Sequence, residues 1–130
     1  MSDDLRVLVV DDHPVNRLVL MEIFAQLGCV VSAAADGAQA LSAMRGDHFD
    51  LICLDRHMPG LSGDEVASNL PVEQFVLAWS TDVTDLPDRF DGVLCKPVTF
   101  QAAQVALARA EAWRAALATG GRPPGRRAAA

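Results

Sequence analysis

The chain has 130 residues and a mass of 13.9 kDa, enough for one ordinary domain and too little for two separate cores. Hydrophobic residues make up 51% and charged residues 22%, which excludes wholesale disorder and leaves ample material for a packed interior. Seventeen acidic and eleven basic side chains give a net charge of −6; three of the arginines fall in the last twelve residues, so residues 1–118 carry −9, which argues against a nucleic-acid-binding face.

Five short apolar runs alternate with stretches of helical pattern. The runs are LRVLVV (5–10), CVVSAA (29–34), DLICL (50–54), QFVLAW (74–79) and GVLC (92–95). Runs without polar alternation suit strands buried on both faces, hence a parallel sheet with helices on either side, and the fold class is α/β. The first helix is expected from Pro14 to Leu27, with Val15, Leu18, Val19, Ile23 and Leu27 as its buried stripe and Gly28 as its stop. A second is expected over 38–45 and a short third over 64–70, ended by Pro71. The last and longest starts after Thr99 as N-cap, with a stripe of Phe100, Ala103, Leu107, Ala110, Trp113 and Leu117. Residues 119–130, which include GGRPPGRRAAA, have no packing pattern and read as a disordered basic tail.

Between the fourth and fifth runs only residues 80–91 are available, and a parallel crossover needs about a dozen. Pro87 and the cluster Asp82, Thr84, Asp85 and Asp88 reinforce the expectation that any helix there is short or irregular. No apolar run approaches the ~20 residues of a membrane span. The acidic start MSDDLR is unlike a basic signal-peptide opening, so a cytoplasmic protein without membrane association is expected. Cys29, Cys53 and Cys95 form no CxxC, sit in apolar runs, and read as reduced core residues.

Polar residues stand at the carboxyl ends of four of these strands: Asp11 and Asp12 after the first, Asp55 after the third, Ser80 after the fourth and Lys96 after the fifth. Open parallel sheets bind ligands at this edge. Lys96 is the single lysine among eleven basic residues. Three converging carboxylates repel one another unless a cation lies between them, and an all-oxygen donor set in an open pocket suits Mg²⁺, with Mn²⁺ as a substitute. Zinc is not expected, because His13, His48 and His57 share no helical face and the cysteines lie in separate strands. With a metal in place a carboxylate can act as nucleophile toward a phosphoryl group, and Asp55 is the candidate. Lys96 and the Ser80 hydroxyl would then neutralise and hydrogen-bond the phosphoryl oxygens.

These residues make the sequence similar to the receiver domain of two-component response regulators. The resemblance rests on VVDD (9–12), DLICLDRHMPGLSG (50–63) and CKP (95–97), and it covers about residues 5–118. It implies a doubly wound sheet of five parallel strands in the order 2-1-3-4-5, with a receiver domain over 1–118. It further implies that Asp55 accepts phosphate from a phosphohistidine and that Asp12, Asp55 and the His57 carbonyl bind Mg²⁺ directly. Asp11 would act mostly through water. The implied partners are a histidine kinase or histidine phosphotransferase and a downstream protein, with slow self-dephosphorylation and a monomeric or weakly dimeric state. The run DDHPVNRLVL (11–20) is similar to receivers attached to hybrid sensor kinases. The chain ends soon after the domain, so the expected role is a shuttle, sink or protein-binding regulator, with a hybrid-kinase fragment as the other reading.

Three departures from the family pattern stand out. Ser80 is followed by Thr81 where a small residue is usual, which makes Thr81 the alternative switch hydroxyl. Val93 occupies the position of the usual aromatic switch residue, and the fourth crossover is short. These motivate the competing reading, a phosphorylation-independent interaction module. Arg56 beside Asp55 reads as partner-steering or solvated, His57 as a residue that could influence hydrolysis of the acyl phosphate, and Trp79 and Trp113 as packing residues.

Overall fold

The structure, a computed structural model, describes residues 4–120. Its strands are β1 (Arg6–Val10), β2 (Val30–Ala34), β3 (Leu51–Leu54), β4 (Val76–Ser80) and β5 (Gly92–Cys95). They form one parallel sheet in the order β2-β1-β3-β4-β5, with Val10 opposite both Ala34 and Leu54 and Ser80 opposite Cys95. The helices are α1 (Pro14–Gln26), α2 (Gly37–Gly46), α3 (Gly63–Ser68) and α4 (Phe100–Ala118). The expected α/β class, strand order and doubly wound layout are all present. Most of the basic tail, residues 121–130, lies outside the described residues.

Alternation along the strands sends side chains into two cores. Val7, Val9, Cys53, Leu77 and Trp79 pack with Leu20 and Phe24 of α1 and with the alanine face of α4. Leu8, Val10, Ile52, Leu54, Val76 and Ala78 pack with α2, α3 and Phe90 on the other side. β3 and β4 are buried at every position, as expected for strands covered on both faces.

The expected stripe of α1 is displaced. Val15, Leu18 and Val19 are exposed, and Leu20 and Phe24 are the buried pair, with Ile23 and Leu27 partly covered. The helix is apolar on more than one face, so spacing alone admits both stripes, and the bulk of Phe24 decides which one meets the sheet. In α4 the buried line is Ala103, Ala106, Ala110 and Trp113, while Phe100 and Leu117 stay exposed. Alanines let the helix approach the sheet closely. Trp113 then packs 5.3 Å from the Phe75 ring and donates its indole N–H to the Glu73 carbonyl at 2.7 Å.

Residues 81–91 form turns and no helix, so the crossover falls short even of the short helix expected there. Of the three cysteines, all free, only Cys53 is a core residue; Cys29 is half-buried and Cys95, at the edge strand's end, is exposed. Among the described residues no helix is long and apolar enough to cross a membrane.

Candidate functional site

The sheet register builds the site. Asp11 and Asp55 each follow a paired residue of adjacent strands, and the Asp55 N–H donates to the Val10 carbonyl at 3.0 Å. Carboxylate oxygens of Asp11, Asp12 and Asp55 come within 4.8 Å of one another, with Asp11 fully buried, Asp55 buried and Asp12 exposed. Neither member of the acidic pair caps α1. The N-cap is His13, whose ring accepts from the Asn16 N–H, and Asp11 Oδ1 accepts from the His13 N–H at 2.8 Å.

Lys96 follows β5 and is joined to Pro97 by a cis peptide bond. Its ammonium lies 2.9 Å from Asp11 Oδ2 and 3.6 Å from Asp55 Oδ2. Burial pushes the Asp55 carboxyl up from 3.8 to about 6; Lys96 pulls it down, Asp11 pushes it up, and the His57 N–H on Oδ1 pulls it down. A cation seated among the three carboxylates would remove this penalty, and their oxygen-only donor set and one open side fit Mg²⁺.

Ser80 is the last residue of β4 and is buried, with its Oγ accepting from the Asp82 N–H at 3.0 Å. Thr81 is exposed. Val93 is half-buried and packs against the core on the α2 and α3 side. His57 is exposed at its side chain, where Nε2 meets Asp82 Oδ2 at 2.9 Å. The Asp82 carboxyl is held down at about 2, chiefly by the Thr84 N–H and then by His57.

Two residues of this region were not recognised in the sequence. Arg56 is buried rather than solvated or partner-facing: it grips both oxygens of Asp64 at 3.0 and 3.1 Å and donates to the carbonyls of Asp82, Thr84 and Asp85. It ties the β4–β5 crossover to the start of α3, where Ser62 and Glu65 form a capping box. Trp79, next to Ser80, sends its indole N–H to Asp11 Oδ2 at 3.0 Å, and Lys96 stands 5.2 Å from its ring centre. The available signal was that a tryptophan on a strand buried on both faces must find an acceptor for its N–H.

Residues 7–102 match the family model of the response regulator receiver domain. The chain belongs to the receiver family. Relatives of this receiver include the sensor histidine kinase RcsC of Salmonella typhi, 32% identical over 116 residues that cover 82% of this chain and 12% of that protein. The sensor protein EvgS of Escherichia coli strain K12 is 40% identical over 70 residues, covering 54% of this chain and 6% of its own. The receiver thus spans a small fraction of the curated relatives it matches. Among solved structures, response regulator TrrA of Thermotoga maritima in complex with Mg²⁺-BeF superposes with a TM-score of 0.76 at 28% identity, covering 82% of this chain and 98% of that one. Vibrio cholerae CheY4 gives the same TM-score at 25% identity over 83% of this chain and 99% of its own.

Proposed function

We propose that this receiver takes a phosphoryl group onto Asp55 from the phosphohistidine of a histidine kinase or histidine phosphotransferase, and that the phosphorylated form binds a downstream protein. The observation that carries the reading is the convergence of three carboxylates and Lys96 at the carboxyl edge of the sheet. A buried Asp55 flanked by the lone lysine is poised to present an oxygen to phosphorus. The new bond joins that oxygen to phosphorus, the phosphorus–nitrogen bond of the donor breaks, and the donor, whose ring carries a proton on its other nitrogen, leaves as neutral histidine. Hydrolysis by water later returns the carboxylate and inorganic phosphate.

Asp12, Asp55 and the His57 carbonyl would hold Mg²⁺ directly, and Asp11, whose oxygens already accept from His13, Trp79 and Lys96, would act through water. When bound, the ion neutralises charge on the phosphoryl oxygens and on the carboxylates. Lys96 pairs with a second phosphoryl oxygen, and we assign the switch hydroxyl to Ser80, which is buried beside the site, rather than to exposed Thr81. The intact acidic set counts against a phosphorylation-independent module. A cytoplasmic location belongs to the same proposal, since histidine kinases and phosphotransfer proteins are the donors it requires.

Intact-mass spectrometry after incubation with acetyl phosphate tests the reading. Wild type with Mg²⁺ should gain one phosphoryl group; wild type with chelator and Asp55→Asn should gain none. An adduct that persists in Asp55→Asn, or no adduct in Mg²⁺-treated wild type, overturns it.

A further inference from the structure

Asp11 is fully buried and yet ionisable, and its carboxylate is held by three donors: the His13 N–H on Oδ1, and the Trp79 indole N–H and Lys96 ammonium together on Oδ2. If Asp55 is the phosphoacceptor, as proposed above, Lys96 must swing from Asp11 toward the phosphoryl oxygens. Removing a cation from a buried carboxylate is expensive unless other donors stay behind. Among the described residues Oδ2 then keeps one protein donor, the indole N–H of Trp79.

We propose that Trp79 is a positioning residue for phosphoryl binding: its indole N–H holds Asp11 so that Lys96 can leave it. Trp79 is 2% exposed and sits in β4 opposite Leu94, so its N–H is aimed before any ligand arrives. Being neutral, it cannot follow the phosphoryl group as Lys96 does. The ring face lies beneath the ammonium, 5.2 Å from it, a favourable cation–π contact. Trp113 provides the contrast within the same fold, because its indole N–H satisfies a backbone carbonyl at the opposite end of β4.

Beryllofluoride, which takes the place of a phosphoryl group on a carboxylate, separates the metal step from the phosphoryl step. Isothermal titration with Mg²⁺ alone, and with beryllofluoride at saturating Mg²⁺, would be run on wild type, Trp79→Phe and Trp113→Phe. Trp79→Phe keeps the ring face and loses the N–H. Its beryllofluoride affinity should fall about tenfold, the loss of one hydrogen bond to a charged group, with Mg²⁺ affinity unchanged. Trp113→Phe should match wild type in both titrations. Equal beryllofluoride affinity in Trp79→Phe and wild type, or a parallel fall in both affinities, overturns the proposal. Should Trp79→Phe fail to fold, the ¹⁵N indole resonance of Trp79 in wild type decides: protection from exchange should persist when beryllofluoride is added, and its loss overturns the proposal. Wild type that takes up no beryllofluoride overturns the phosphoacceptor reading and this inference with it; wild type that binds normally confines any failure to Trp79.

Discussion

Asp55→Asn should make the protein more stable, by an amount that depends on pH. In chelator, the folded protein carries an Asp55 carboxyl raised from 3.8 to about 6, mainly by burial. The folded state therefore binds more protons than the unfolded state between those values, and wild-type stability falls as pH rises through them. At about 1.4 kcal/mol per tenfold difference in proton affinity, the penalty is roughly 1 kcal/mol at pH 4.5 and about 3 kcal/mol at pH 7.5. Asparagine keeps the acceptor for the His57 N–H and removes the charge, so the variant escapes the penalty. Urea unfolding at the two pH values would show an advantage for Asp55→Asn that grows toward neutrality, worth roughly 3 °C in melting temperature per kcal/mol. Excess Mg²⁺ should narrow the gap by stabilising wild type alone. A variant no more stable than wild type at pH 7.5 in chelator, or an advantage that does not change with pH, refutes the reasoning.

Arg56→Ala should cost about 3 kcal/mol, because it leaves Asp64 and three crossover carbonyls without their buried guanidinium, and amide exchange over 81–88 should speed up well beyond that of β3. Arg56→Lys should recover less than half of the loss, since one ammonium cannot make the two-oxygen grip on Asp64 and also reach the carbonyls. Gly63→Ala should cost about 2 kcal/mol or more, read by the same urea titration, because a Cβ there would run into the Asp55 carbonyl. A neutral Gly63→Ala would mean that the start of α3 can back away from the site.

The strands were legible because continuous β-branched runs announce burial on both faces, and the site was legible because polar residues end four of those runs. The helix faces were not. In α1 both Val15–Leu18–Val19 and Leu20–Phe24 satisfy helical spacing, and only packing against β1 and β2 chooses between them. Arg56 and Trp79 escaped for a different reason. Each is defined by partners far along the chain, the crossover carbonyls for one and Asp11 for the other, and no local pattern records a contact across 26 or 68 positions. Cys95 was misplaced because β5 is an edge strand, a fact of sheet order rather than of composition.

The turn-built crossover has a mechanical consequence. Retracing the five residues of β4 takes ~16.5 Å at ~3.3 Å per residue, and an 11-residue helix at ~1.5 Å per residue covers the same ~16.5 Å, leaving no chain for the turns at its two ends. A helix running the whole way back therefore does not fit this length, and the turn-built segment forgoes the internal ladder that would make it rigid by itself. Much of its order is borrowed from the guanidinium at position 56, with the His57 ring on Asp82 beside it. Arg56 shares a peptide unit with Asp55, so the carboxylate and the anchor of the crossover are joined like two ends of a rocker. A shift of the backbone at 55 is transmitted to the corner at 82–85 through the side chains of Arg56 and His57, and loosening that corner returns the displacement to the site.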